Sequence, residues 1–340
     1  MSLENLLARA LAPPELGQTP CDVVHAENKW RLLRYRGAPK HPLPVLLVPS
    51  LINRHYVLDL MPGKSLVEYL LAAGHDVFII DWGTPGDEDR YLDFDEIVDR
   101  YLGRAIRKTL AAAGADRLHL LGYCLGGTFT AIHAAAHPAS IASLVALAAP
   151  IRFAEGGMLT RWMRLPTLDI RAVVGAFGNM PWPLMQASFH LLKPTLLFQK
   201  ARTAVDRAWD DEFLDGFFAL ERWGNDNVSF PGRAYAEYIE RLYQRDALVN
   251  GTLRLAGRPV RLEAIRCPTL VVTFADDYIV PRASALPLLD LAAAKDKQHL
   301  DLRGGHVGAV VSRKARDGLW PALSDFWVQR MKSRRARKRA

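Results

Sequence analysis

The chain has 340 residues, 50% of them apolar, which is enough to bury one large core with an accessory layer and does not require independent domains. Its formal charge of +8 is concentrated at one end, where Arg330, Lys332, Arg334, Arg335, Arg337, Lys338 and Arg339 follow one another without an acidic residue. The body is therefore close to neutral, which argues against a nucleic-acid partner and predicts a basic, disordered tail over 330–340.

From the N-terminus, Leu3, Leu6, Leu7, Ala10 and Leu11 recur at helical spacing before Pro13 and Pro14 stop the pattern. Met1 to Pro20 has no basic flank followed by an apolar run, so no secretory signal is expected there. Val45–Val48 and Asp76–Asp81 are short apolar runs of the kind found in buried parallel strands, and helical patterning near Leu66–Ala73 separates them. A helix is predicted from about Phe94 to Ala113, a strand at Leu118–Leu121, a helix over Thr128–Ala136 and a strand at Leu144–Leu147. Leu118 to Ile151 contains no Asp, Glu, Lys or Arg, but Gly122, Gly126, Gly127 and Pro138 interrupt it, so a buried strand-helix-strand unit is expected rather than a transmembrane segment.

Between Pro150 and Arg266 the alternation stops, and residues rich in Trp, Phe, Met and Pro carry helical patterning. The strand pattern resumes at Cys267–Phe274, followed by a helix near Ala283–Ala293 and a last short strand before Gly304. The expected organisation is an N-terminal helix and lead-in over 1–40, an α/β core over 41–150 and 267–329, a helical cap insertion over 151–266, and the tail. A mostly parallel, doubly wound sheet follows from the alternation.

The strongest chemical signal is Gly122-Tyr123-Cys124-Leu125-Gly126-Gly127, directly after a strand and directly before a helix. It matches the nucleophile elbow of the α/β-hydrolase fold with Cys in place of Ser. A nucleophile in so sharp a turn needs small neighbours two positions away, and Gly122 and Gly126 supply them. The helix N-terminus favours a thiolate, and the Leu125 amide is placed for an oxyanion hole. A second donor is expected from Leu51 or Ile52, after the first core strand. The fold orders its partners nucleophile, acid, histidine; Asp277, of the pair Asp276-Asp277, and His306 in Gly304-Gly305-His306-Val307-Gly308 fit those positions.

Other candidates read as structural. His133 and His137 stand four apart on a predicted helix, a spacing zinc can use, but no third ligand is evident in the sequence and no metal is expected. Three scattered cysteines, Cys21, Cys124 and Cys267, form neither a disulfide framework nor a paired zinc site and fit a reducing cytoplasm. No phosphate-binding glycine motif is present, so no nucleotide cofactor is expected.

Taken together, these residues resemble the polyhydroxyalkanoate synthases, in particular the short class III catalytic subunit, over about Leu46 to Trp327. The resemblance rests on the elbow, on Asn53-Arg54 with Tyr56 and Asp59-Leu60, and on Ile80-Asp81-Trp82-Gly83. It also rests on Leu192-Lys193-Pro194, Glu221-Arg222-Trp223, Asp277-Tyr278-Ile279-Val280-Pro281 and the glycine-flanked His306. It implies that Cys124 carries the growing acyl chain, that His306 activates it, and that Asp277 assists attack by the substrate 3-hydroxyl. It further implies that Asn53, Tyr123, Tyr278 and Trp223 meet the substrate. Tyr278 is a departure, because the family usually has His there.

The implied reaction is polymerisation of (R)-3-hydroxyacyl-CoA with release of coenzyme A, the thioester being substrate and no cofactor being needed. The implied setting is a homo-oligomer with a second synthase subunit, in the cytoplasm at the surface of polyester granules. The same catalytic residues could serve a thioesterase or depolymerase, which differ in using water as acceptor, and an inactive granule scaffold could keep the fold.

Overall fold

The computed structural model describes residue 9, residues 11–12 and residues 14–339; the helix expected over Leu3–Leu11 lies for the most part outside the described residues. The centre is an eight-stranded sheet built from β1 (Cys21–Glu27), β2 (Trp30–Tyr35), β3 (Val45–Val48), β4 (Val77–Asp81), β5 (Leu118–Tyr123), β6 (Ile141–Leu147), β7 (Thr269–Phe274) and β8 (Lys297–Leu302). The spatial order is β1-β2-β4-β3-β5-β6-β7-β8. From β4 to β8 every pairing is parallel, as expected from the strand-helix alternation.

Successive side chains on these strands point to opposite faces, and both faces are covered. Leu46, Val48, Phe78, Ile80, Leu120 and Leu144 pack in one apolar cluster, while Val45, Leu47, Val77, Ile79, Leu121 and Val145 pack in the other. Helices α1 (Leu66–Ala72), α2 (Leu102–Ala113) and α3 (Leu125–Ala136) connect the strands. The helix predicted from Phe94 begins as a π-helical segment, Glu96–Tyr101, which runs into α2.

The lead-in over 1–40 contains two strands that the apolar pattern did not announce. β1 and β2 form an antiparallel hairpin that joins the sheet edge at β4. Their charges are paired rather than buried alone: Arg31 bonds Asp81 and Arg34 grips Asp76 through two nitrogens, each at 3.0 Å. An edge hairpin that pairs such charges need not be uniformly apolar.

Between β6 and β7 the chain forms the cap: α4 (Gly157–Met163), α5 (Ile170–Phe177), α6 (Trp182–Leu192), α7 (Leu196–Asp206), α8 (Asp211–Asn225) and α9 (Gly232–Tyr238). The helix expected near Ala283–Ala293 is two short turns, Arg282–Ala285 and Pro287–Leu291, because Pro287 cannot supply the amide a continuous helix needs. At the C-terminus the last helix, α10 (Trp320–Arg339), includes the basic residues up to 339, and its earlier turns bury Trp320, Leu323, Phe326, Trp327 and Met331.

The register fixes where chemistry can occur. Val48 stands beside Gly122, Tyr123 beside Leu147, Leu147 beside Val272, and Phe274 beside Leu302. The loops leaving β3, β5, β7 and β8 therefore emerge along one edge of the sheet, the carboxyl edge that parallel α/β sheets use for ligands.

Candidate active site

Cys124 sits between β5 and α3 with φ of 53° and ψ of −128°, a backbone conformation costly for a residue with a side chain. Its neighbours show why the turn is glycine-rich. A Cβ on Gly122 would run into Thr130 and the backbone of Gly127, one on Gly126 into the carbonyls of Val48 and Pro49, and one on Gly127 into Ala149. The Cys124 amide is tied to Leu147 O at 3.0 Å and its carbonyl accepts from the Gly127 amide at 2.9 Å, so the strain is held from both sides. Leu125 and Gly126 open α3, and their amides belong to the first turn, which has no intrahelical acceptor.

His306 reaches this turn from the loop after β8. Its Nδ1 lies 2.7 Å from Asp277 Oδ2, and the ring is near enough to the Cys124 side chain for the charge of one to act on the other. Asp277 follows β7 and is buried with both oxygens engaged, because Oδ1 accepts the amides of Ile279 at 2.9 Å and Val280 at 2.8 Å. Asp276 is exposed. Burial of the imidazole pulls its pKa down, but the charges of Cys124 and Asp277 and the hydrogen bond to the carboxylate outweigh that, lifting it to about 10. The ring therefore holds its proton between a carboxylate and a sulfur.

The half-buried sulfur opens on a cleft of about 680 Å³, mouth included, between the sheet edge and the cap. Leu125 and Ile52 line it beside Cys124, and the cap contributes Leu159, Met163, Met185, Phe189 and Phe230 with three tyrosines, Tyr235, Tyr238 and Tyr243. The wall is apolar apart from hydroxyl groups, and the Tyr238 and Tyr243 oxygens lie 3.5 Å apart.

Comparisons with known proteins bear on the fold and the family. The model described as alpha/beta hydrolase fold matches residues 44–311, and that of the poly-beta-hydroxybutyrate polymerase (PhaC) N-terminus matches residues 13–70. The poly(3-hydroxyalkanoate) polymerase subunit PhaC of Allochromatium vinosum is 35% identical over 335 residues, covering 96% of this chain and 93% of the relative. This chain belongs to the poly(3-hydroxyalkanoate) polymerase family. Its counterpart in Haloferax mediterranei is also 35% identical, over 95% of this chain, which spans 66% of that longer relative. Among solved structures, the putative non-heme bromoperoxidase BpoC of Mycobacterium tuberculosis aligns at a TM-score of 0.57 and 17% identity, over 90% of this chain and 97% of that one. The monoacylglycerol lipase of Paleococcus ferrophilus aligns at 0.55 and 20%, over 88% and 99%. At such identities the likeness is one of fold.

Several residues expected at the substrate of this polymerase-family site lie elsewhere. Tyr123 is buried beneath the histidine: its ring stacks on His306 at 5.4 Å and its hydroxyl donates to His306 O at 3.1 Å, so it orients the imidazole. Trp223 is buried among core side chains and its indole N–H donates to Arg54 O at 2.9 Å, joining cap to core instead of facing the cleft. Asn53 bonds Asn227 of the cap, which in turn bonds Gln186, and neither Asn53 nor Tyr278 lines the cleft. Tyr278 is half-buried under Lys193, whose ammonium lies 5.5 Å from the ring centroid. Of the two oxyanion candidates after β3, Ile52 borders the cleft, whereas Leu51 is buried in the core below it. Sequence reasoning missed the three tyrosines. Their signal was Tyr235 and Tyr238 one helical turn apart with Tyr243 just beyond, an aromatic stripe that carries no motif of its own.

Proposed function

We infer that this chain polymerises (R)-3-hydroxyacyl-CoA into polyhydroxyalkanoate, releasing coenzyme A and carrying the chain as a thioester on Cys124. The observation that carries this reading is a cysteine on a strained elbow beside a buried His306–Asp277 pair, opening on an apolar cleft in a polymerase-family chain.

Loading exchanges one thioester for another. The Cys124 sulfur attacks the acyl carbonyl, the oxyanion meets the first amides of α3 and that of Ile52, and the coenzyme A sulfur leaves with a proton from His306. The step is nearly balanced and keeps the acyl group activated, which an ester on serine would not do. Elongation then requires a 3-hydroxyl to attack the held thioester while His306 takes its proton, and an apolar cleft favours alcohol over water. Because both Asp277 oxygens are occupied, the arrangement favours action through the imidazole over direct contact with the hydroxyl. The chemistry calls for no cofactor beyond the coenzyme A thioester.

The same reading includes a second subunit, self-association and a place at the polyester surface. Exposed Phe177, Leu184, Leu191, Phe198, Val205 and Trp209 on the cap support it, since an apolar surface of that kind gains by being covered. Among the described residues no helix is long and apolar enough to cross a membrane.

The test is to give the purified chain 3-hydroxybutyryl-CoA, alone and with a candidate second subunit, while following thiol release, polymer and intact mass. Mass added at Cys124 and polymer matching the thiol released are expected. Thiol release matched only by free hydroxy acid would make the chain a thioesterase.

A further inference from the structure

The helix that begins at the nucleophile ends in another group of chemistry-bearing side chains. His133 and His137 stand one turn apart at the end of α3, with ring centroids 4.7 Å apart. The π-helical segment brings Asp99 against them, and His137 Nε2 lies 2.6 Å from Asp99 Oδ1. One donor atom from each of the three lies within 4.8 Å of the others. The histidine spacing was legible in the sequence; the third ligand comes from a distant segment and needed the fold.

Hydrogen bonding prepares His133 to be a ligand. Its Nδ1 lies 2.9 Å from Val98 O, and since a carbonyl can only accept, that nitrogen carries the proton and Nε2 keeps its lone pair. A backbone carbonyl fixing the far nitrogen is the usual support of a metal-binding histidine. Gly103 leaves space beside it: a Cβ there would come within 3.0 Å of His133 Cε1 and 3.4 Å of the Arg107 guanidinium. Arg107 is exposed and free to turn outward to admit a cation.

We propose that Asp99, His133 and His137 form a three-ligand site for a divalent transition-metal ion of the zinc class. Two imidazoles and one carboxylate suit such an ion, with bonds of about 2.0–2.2 Å and a fourth position left for water. The ion takes the place of the His137 Nε2 proton in the bond to Asp99, and that proton passes to Nδ1. His133 is nine residues beyond Cys124, about 13 Å along the helix axis. The ion is therefore remote from the sulfur and pins the far end of the helix that presents it.

The test uses the full chain, without a polyhistidine tag and stripped with chelator, titrated with Co²⁺ as the only probe. One ion per chain, visible bands of four-coordinate intensity and a raised melting temperature are expected. His137→Gln and Asp99→Asn, each checked for folding by circular dichroism, should weaken binding at least about tenfold, whereas Cys124→Ala should bind as the parent does. Absence of saturable binding, the weak spectrum of six-coordinate cobalt, binding indifferent to both ligand substitutions, or binding lost in Cys124→Ala would each overturn the site.

Discussion

The sheet and the cap handle their apolar residues differently. Along β3, β4, β5 and β7 every residue is buried, and the clusters on the two faces leave little freedom to the loops at their ends. In the cap, α6 and α7 leave Leu184, Leu191, Phe198 and Val205 exposed, and Trp209 just beyond is 76% exposed. The two regions meet at a polar clasp, where Arg54 and Tyr56 hold Asp226, Asn53 holds Asn227, and Trp223 donates to Arg54 O. The core thus fixes the reacting atoms, while the cap shapes the cleft and presents surface. On that division, substitutions at the sheet edge should act on chemistry, substitutions inside the sheet on stability, and substitutions on the exposed face of the cap on assembly.

The largest effect expected is at the elbow. Cys124→Ala should reduce thiol release by at least about 10⁴-fold, because it removes the nucleophile itself. Cys124→Gly should be equally inactive yet melt higher than Cys124→Ala, since glycine adopts the positive φ without strain. A lower melting temperature for the glycine variant would show that the turn is not strained. Asp277→Asn should slow turnover by about 10²–10⁴-fold. It should also bring the His306 pKa down from about 10, as the charge and hydrogen bond of the carboxylate are lost. The sign follows from linkage: a raised pKa means the protonated ring is favoured in the fold. That contribution is full below about pH 6.5 and disappears as pH rises through about 10. Nitrogen-15 spectra of the histidine ring across pH would read it; an unchanged midpoint in the variant would remove Asp277 from the account.

How far the molecule could be read from its sequence depended on how local each signal was. The parallel strands are short apolar runs, and the elbow compresses steric demands into six adjacent residues, so both were legible. Asp277 and His306 were legible through chain order and their glycine or proline neighbours. The β1–β2 hairpin was not, because Asp22, Arg31, Arg34 and Arg36 break its apolar pattern and their pairing depends on the folded sheet. The helical continuation through 339 was hidden by like charges that read as a solvated tail. Tyr123 and Trp223 belong to recognisable motifs, but membership in a motif does not say whether a ring faces substrate or packs behind it. Asp99 beside His133 and His137 was invisible for a simpler reason: the three meet only when the π-helical segment packs on α3.

Stability should divide along the same line. Leu46→Ala, in a fully buried strand, should cost about 2–5 kcal/mol in denaturant unfolding, whereas Phe198→Ala, 75% exposed in the cap, should stay within about 0.5 kcal/mol. Equal costs would erase the distinction drawn here. Acid should attack the core specifically. Burial lowers the pKa of His75 to about 4, of His119 to about 3 and of His133 to about 4. The unfolded chain takes up these protons below about pH 6.5 and the folded one does not, so stability should fall steadily from pH 6.5 toward pH 4. A urea midpoint flat across that range would contradict the burial of these rings.

The most local effect expected lies at the clasp. Trp223→Phe keeps most of the buried ring but deletes the N–H that donates to Arg54 O, so it should cost about 1 kcal/mol, the net worth of one hydrogen bond. The loss should be local, because the bond ties α8 to the loop after β3 and does not touch the sheet. Limited proteolysis should therefore cut faster within 151–266 while the sheet resists as before, and the turnover of enzyme that remains intact should change little. Faster cutting in both regions would mean that the cap and the core open as one unit, and that the tryptophan supports the sheet as directly as it supports the cap.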